Sequence, residues 1–236
     1  MLRFFNTTGN YGTTGLDSIT YLSGFNVLKD MAFNRLITPA EFTGNLLSVN
    51  NVNVPINKNA IVQTYTASNG IVYVMNSVNF RLEDKITPII IQGETPTGFS
   101  QSDKRSNTLY RVRKDPAGNT FNDILIAGSG AGALPAAFYA QYAARNLYSA
   151  QYIVYWRALN DTGVLFSQKL AFVNSTATNF PYLPVAANNY DEVRLSTTNY
   201  TVSKYGTQSM FMIGNTNTVN GTNSITFDYV KLVPVL

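Results

Sequence analysis

Short runs of alternating apolar and polar residues recur along this chain, and polar turn residues separate them. A period of two places successive side chains on opposite faces of a strand, so these runs predict β-strands. The predicted strands are 46–49, 52–54, 60–65, 71–75, 89–91, 109–113, 151–159, 164–173, 192–195, 210–213 and 225–233. Many short strands with polar turns and little helix predict a β-sandwich or jelly roll.

A few segments predict other local structure. The apolar spacing over 28–36, with Pro39 just beyond it, predicts a helix. The alanine-rich segment 136–147 is compatible with a helix, but we interpret it as a loop that leads into strand 151–159. Asn69-Gly70 predicts a type I′ hairpin turn, because both central residues of that turn need a positive φ.

The composition excludes several kinds of chemistry. The chain has no Cys and no His, which rules out disulfides, thiol nucleophiles, His-ligated zinc and a Ser-His-Asp triad. Its 17 Lys and Arg against 13 Asp and Glu give a net charge of only +4, so we expect no nucleic-acid partner. No apolar run approaches the roughly 20 residues that a membrane helix needs.

The polar residues are mostly neutral, with 27 Asn and 25 Thr. Such residues favour turns and hydrogen-bonded surfaces, which suits an extracellular β protein. The opening Met1-Leu2-Arg3-Phe4-Phe5 does not have the pattern of a secretion signal. We therefore expect an extracellular protein whose signal segment is absent from this chain, either because it was removed or because the chain is a fragment, with a cytosolic protein as the alternative.

The first third of the chain resembles the end of a fasciclin (FAS1) domain. Residues 67–78, Ala-Ser-Asn-Gly-Ile-Val-Tyr-Val-Met-Asn-Ser-Val, are similar to the closing Asn-Gly turn and strand of that family. Tyr73 stands where many members have His. The resemblance covers roughly residues 1–85, and it implies a truncated α+β region with reduced N-terminal helices.

The remainder resembles a jelly-roll module of the carbohydrate-binding type. Residues 89–94, Ile-Ile-Ile-Gln-Gly-Glu, are similar to the opening strand of such modules, and 225–232, Ile-Thr-Phe-Asp-Tyr-Val-Lys-Leu, to their closing strand. Residues 155–158 are similar to an internal core strand. Together the two resemblances imply a mostly β protein, with a partial fasciclin-like region at 1–86 and a β-sandwich or jelly roll at 87–236.

The module resemblance also implies a structural calcium site. In related modules an acidic residue at each end contributes to it, and Glu94 and Asp228 hold those positions. Calcium needs six or more oxygen ligands, so backbone carbonyls would have to complete the set. The alternative is that each carboxylate bonds a turn or pairs with a nearby Lys or Arg. No other cofactor is expected.

Aromatic residues in polar loops are the candidate glycan contacts, because sugar C–H faces stack on rings while amides bond the hydroxyls. The candidates are Phe180, Tyr182, Tyr190, Tyr139 and Tyr142, together with Asn188. Trp156, the one tryptophan, is a further candidate, although its alternation with Tyr152 and Val154 favours the core. For the loop aromatics the alternative is packing within turns.

Charged residues give little support for catalysis. Asp191 and Glu192 are adjacent, so on a strand they point to opposite faces and make a poor glycosidase pair. The basic residues Lys104, Arg105, Arg111, Arg113 and Lys114 are interpreted as a solvated edge, with contact to an acidic polysaccharide as the alternative. We therefore expect a protein without enzymatic activity.

The two resemblances together are typical of Bacteroidetes surface lipoproteins that work beside glycan-uptake systems. We therefore expect a non-catalytic cell-surface protein for glycan capture or adhesion, with a glycan or a surface protein as partner. Membrane association would come only through a missing lipid anchor or a partner complex. The alternatives are a structural assembly subunit of a surface complex and a viral jelly-roll shell protein.

Overall fold

The computed structural model describes residues 1–7, 16–42, 44–100, 108–126, 138–173, 177–215 and 224–236. The chain divides into two compact units, unit 1 at 1–87 with Leu236 and unit 2 at 88–235. The fold is mostly β, as the alternating pattern predicts. No helix within the described ranges is long and apolar enough to cross a membrane.

Unit 1 combines a helix with two antiparallel strand pairs. Its elements are 3-10 turns at Leu2–Phe5, Pro39–Glu41 and Lys58–Ala60, helices α1 (Leu16–Leu28) and α2 (Leu82–Lys85), and strands β1 (Asn45–Leu47), β2 (Asn53–Pro55), β3 (Ile61–Ala67) and β4 (Gly70–Met75). Strand β1 pairs with β2 and β3 pairs with β4. The predicted hairpin is confirmed, but its register pairs Ala67 with Gly70, so Ser68 and Asn69 form the loop. Neither Asn69 nor Gly70 has a positive φ, so the type I′ assignment is wrong.

The helix predicted at 28–36 is also wrong, because α1 ends at Leu28 and no helix follows before Pro39. The chain turns at Asp30, whose buried carboxylate pairs with Lys85 Nζ at 2.6 Å and accepts a hydrogen bond from the Asn50 amide. A buried ion pair loses several kcal/mol if one partner is displaced. This distant contact therefore overrides the local apolar spacing.

Unit 2 is an antiparallel β-sandwich with a small third sheet. Its strands are β5 (Ile89–Gln92), β6 (Gly98–Phe99), β7 (Thr108–Lys114), β8 (Thr120–Ile126), β9 (Tyr139–Leu147), β10 (Ala150–Arg157), β11 (Ser167–Val173), β12 (Ala177–Asn179), β13 (Leu183–Pro184), β14 (Glu192–Arg194), β15 (Tyr200–Val202), β16 (Gly206–Gly214), β17 (Ile225–Phe227) and β18 (Tyr229–Val235). One sheet has the order β14-β10-β18-β5, with β15 also on β10. The facing sheet has the order β12-β11-β16-β9-β6, with β13 also on β11, and the third is β17-β8-β7.

Alternating side chains from both large sheets form one core. On β10, Tyr152, Val154 and Trp156 are buried, and Ile153 and Tyr155 between them are partly exposed. Phe172 of β11 stacks on Tyr200 of β15 with ring centroids 4.4 Å apart, which joins the two sheets directly. Inward residues of both faces thus interdigitate as in aligned sandwiches.

Residues 139–147 form strand β9, so the loop interpretation of 136–147 is wrong for this part. Ala140, Tyr142 and Ala144 are all buried, which is the alternation of a strand with one face in the core. Alanine has a weak intrinsic strand preference, and pairing with β16 overrides it.

Trp156 is 1% exposed, so we expect Trp156→Ala to lower the free energy of unfolding by about 3–5 kcal/mol through lost burial and a cavity. Urea unfolding of the full chain, followed by circular dichroism, measures this. Leu165→Ala, at an 81% exposed position of the same unit, is the control and should change it by less than about 0.5 kcal/mol. Equal midpoints for both variants would contradict the core assignment.

Candidate functional site

The outer surface of the β12-β11-β16-β9-β6 sheet carries a group of aromatic and polar side chains, which we call the aromatic face. It consists of Tyr139 from β9, Phe211 and Ile213 from β16, Lys169 from β11, and Tyr182, which precedes β13. These strand residues alternate with buried neighbours, so they point away from the core.

Strand register aligns four of these residues in one row. Tyr139 pairs with Ile213, and Ile213 pairs with Lys169. Lys169 Nζ lies 4.8 Å from the ring centroid of Tyr182, a cation–π contact. Three inter-strand spacings separate Tyr139 from Tyr182, roughly 14 Å. The row is therefore an elongated surface with a tyrosine at each end.

Local contacts hold the rings of the aromatic face in place. Tyr139 meets Phe211 edge to face, with centroids 5.0 Å apart and an interplanar angle of 89°. The Tyr139 backbone N–H donates to Ser100 Oγ at 3.0 Å, and its carbonyl accepts from the Ser100 N–H at 3.1 Å. Tyr182 is 36% exposed, and partial burial raises the pKa of its hydroxyl. Ordered, partly exposed rings can stack on a ligand at little entropic cost.

Tyr139 and Tyr182, two of the predicted glycan contacts, thus lie on the same face of the sheet, at opposite ends of the row. Tyr190 and Asn188 lie elsewhere, in the segment before β14. The Tyr190 ring meets Phe121 edge to face at 6.2 Å, and its carbonyl accepts a hydrogen bond from Arg157 Nε at 2.8 Å. Asn188 is exposed and has a φ of 51°, which suits a turn.

Three of the predicted contacts are core residues and cannot meet a ligand at the surface. Trp156 lies in the core, as its alternation favours. Tyr142 is fully buried because β9 is a strand, and its hydroxyl donates to the Gly93 carbonyl at 2.9 Å. Phe180 packs against Phe172 and Tyr200 of the core. Sequence reasoning missed Phe211 and Lys169, although alternation within 164–173 and 210–213 carries that signal.

Two arginines of the basic stretch are paired with aspartates. Arg111 pairs with Asp123 at 2.8 and 2.5 Å and with Asp161 at 2.9 Å. Arg113 also pairs with Asp161. The edge interpretation therefore needs revising for these two arginines, which belong to an ion network. Lys104 and Arg105 lie outside the described residues.

Glu94 and Asp228 are neighbours through the pairing of the first and last strands of unit 2. Strand β5 pairs with β18, and the Gly93 N–H donates to the Asp228 carbonyl at 2.6 Å. The Asp228 carboxylate accepts from Arg157 Nη1 at 2.8 Å. Burial raises the pKa of Asp228 to about 6, against the lowering effect of Arg157 and with a smaller raising effect from Glu94.

Glu94 is a partly exposed residue, but one of its carboxylate oxygens is buried. Its Oε2 is buried and has no hydrogen-bond partner in the described part of the chain, whereas Asp123 and Asp228 each bond an arginine. An unpaired buried carboxylate oxygen is costly, and a bound cation would relieve that cost. Across the described residues, however, no three acidic side chains gather to hold a metal. Most ligands of a calcium ion would therefore have to be carbonyl oxygens or water.

Comparison with known proteins gives structural similarity only. No family model and no curated protein matches the chain. A family 6 carbohydrate-binding module of a Zobellia galactanivorans laminarinase matches 62% of this chain and 99% of its own, at 12% identity and a TM-score of 0.39. A family 35 module from Clostridium thermocellum matches 63% and 99%, at 12% identity and a TM-score of 0.39.

A Clostridium stercorarium module solved with cellobiose matches 62% of this chain and 93% of its own, at 12% identity and a TM-score of 0.36. Similarity this low decides neither the family nor the ligand of this chain. The function must therefore be argued from the site itself.

Proposed function

We propose that unit 2 is a non-catalytic glycan-binding module and that its aromatic face holds a neutral saccharide chain. The observation that carries the proposal is the row from Tyr139 to Tyr182, in which a tyrosine ring stands at each end and the donor Lys169 lies between them. The face measures roughly 14 Å along the row, so an oligosaccharide rather than a single sugar is the fitting ligand.

The chemistry of the aromatic face suits neutral sugars. Ring faces pack against sugar C–H groups, and Lys169 can donate to a hydroxyl from above Tyr182. Gln141, which pairs with Phe211 and points to the same side, offers an amide that can both donate and accept. None of these side chains is a carboxylate, so the face offers no acid–base pair for glycoside cleavage.

The biological setting is part of the same proposal. A module of this kind would work at a bacterial cell surface, in glycan capture or adhesion beside an outer-membrane uptake system. The fasciclin resemblance of residues 1–86 stays a prediction, as does an attachment to the membrane through an anchor or a partner complex. A structural assembly subunit or a viral shell protein is the competing function.

We expect Tyr182→Ala to weaken binding of a neutral polysaccharide about 3- to 10-fold, because one aromatic contact contributes about 0.5–1.5 kcal/mol. Affinity electrophoresis of the full chain against a panel of neutral polysaccharides measures this. Tyr110→Ala is the matched control, since Tyr110 is 57% exposed on β7, away from the aromatic face. Binding that is lost equally in both variants, or retained in Tyr182→Ala, would overturn the site.

We also propose that Glu94 and Asp228 help to hold a structural calcium ion. The buried, unbonded Oε2 of Glu94 supports this, and so does the negative potential that Glu94 adds at Asp228. The ion would supply charge compensation and link the ends of β5 and β18, with no part in chemistry.

After chelation, Ca²⁺ should release or absorb heat on titration and raise the melting temperature of the full chain. Glu94→Gln should abolish both effects, because the amide removes the negative charge that the ion needs. Glu83→Gln, at an exposed glutamate of unit 1, should abolish neither. A titration without heat and an unchanged melting temperature would remove the calcium proposal and leave the glycan proposal intact.

A further inference from the structure

A groove of about 530 Å³ lies between the edges of the two large sheets of unit 2, and its lining shares no side chain with the row from Tyr139 to Tyr182. Strand β5 forms the outer edge of one sheet, and β6 pairs with β9 only at Ala140 and Gln141. This leaves the second half of β9 facing β5. The groove is lined by Ile89, Ile90, Ile91, Gln92, Thr95, Thr97, Tyr142, Ala143, Arg145, Asn146 and Tyr148.

The shape and lining of this edge groove are those of a ligand site. Its volume falls within the roughly 300–1,000 Å³ typical of small-molecule pockets. Ile90, at 51% exposure, gives it an apolar wall, and hydroxyl and amide groups surround that wall. The Thr95 and Thr97 hydroxyls donate to the backbone carbonyls of Gln92 and Gln141, so their oxygens remain oriented to accept from a ligand.

A β-bulge in β9 directs the side chains of Arg145 and Asn146 toward this groove. The register of β9 against β16 shifts so that Gln208 pairs with Ala144 and Gly206 with Leu147. Arg145 and Asn146 are therefore consecutive exposed residues, and Asn146 has a φ of 56°. Bulges redirect side chains and are frequent beside functional sites, and asparagine adopts a positive φ readily at such a position.

Arg145 is the charged group of the groove. Unlike Arg111, Arg113 and Arg157, which all pair with aspartates, Arg145 makes no ion pair or hydrogen bond among the described residues. The groove lining contains no carboxylate. An unpaired guanidinium at the edge of a half-polar groove favours an anionic ligand, because its planar fork matches a carboxylate bidentately.

We propose that the edge groove binds a carboxylate-bearing oligosaccharide, a uronate chain, as a second site distinct from the aromatic face. Arg145 binds the carboxylate, Asn146 and the two threonines bond sugar hydroxyls, and Ile90 contacts a C–H face. Acidic sugars then bind in the edge groove, and neutral sugars bind on the aromatic face. A uronate fits better than an acidic peptide because most of the polar lining consists of side-chain hydroxyls and amides.

The test is isothermal titration of the full chain with a trigalacturonate and a trimannuronate, with a neutral trigalactoside of equal length as reference. At least one uronate should bind more tightly than the neutral trisaccharide. Added salt should weaken the binding of that uronate. Arg145→Gln should weaken uronate binding about 10-fold or more, since a hydrogen-bonded charge contributes about 1.5–3 kcal/mol. Lys58→Gln removes the same charge at an exposed position of unit 1 and should have little effect.

Two further outcomes separate this site from the aromatic face. Tyr182→Ala should leave uronate binding unchanged, so the failure of one site does not imply the failure of the other. The proposal is overturned if neither uronate binds, if Arg145→Gln binds the uronates like the wild type, or if Arg145→Gln weakens binding of the neutral trisaccharide by the same factor. It is also overturned if an extended acidic peptide binds through Arg145 and the uronates do not.

Discussion

Burial of one face of β10 against the opposite sheet is the interaction on which the rest of unit 2 depends. Trp156, Val154 and Tyr152 enter the core on alternate positions, and the Phe172–Tyr200 stack closes the space between the sheets. A slip of one residue in register would expose this entire set, so the pairing is strongly specified. In the facing sheet, the same alternation of buried and outward residues along β9 and β16 places the side chains of the aromatic face outward.

The second constraint is that a charge removed from water needs an opposite charge beside it, so a buried charged atom without one is informative. Buried or half-buried charges are paired in both units, as in Lys85–Asp30, Arg111–Asp123 and Arg157–Asp228. Leaving one partner of such a pair uncompensated costs several kcal/mol, which explains why the pairs persist. Among the described residues, the buried Oε2 of Glu94 has no such partner. This is the observation that supports the proposed calcium ion.

The aromatic face and the edge groove arise from different features of the same sandwich. The face is the regular outer side of a sheet, where alternation places rings in rows. The groove exists because β5 ends one sheet and β6 pairs with only the first half of β9 in the other. Regular structure thus presents a flat surface with rings in a row, and irregular structure presents a concave groove with an exposed arginine.

The sequence by itself determined the strand-rich class, most strands of unit 2 and the core position of Trp156, because alternation is a local property of the chain. The resemblance to carbohydrate-binding modules implied that Glu94 and Asp228 are neighbours. Only the tertiary structure decided that 139–147 is a strand and that Tyr142 and Phe180 are buried. It also decided that α1 ends at Leu28 and that a bulge exposes Arg145. Each of these depends on a partner strand or counter-charge far away in sequence, which no local pattern can supply.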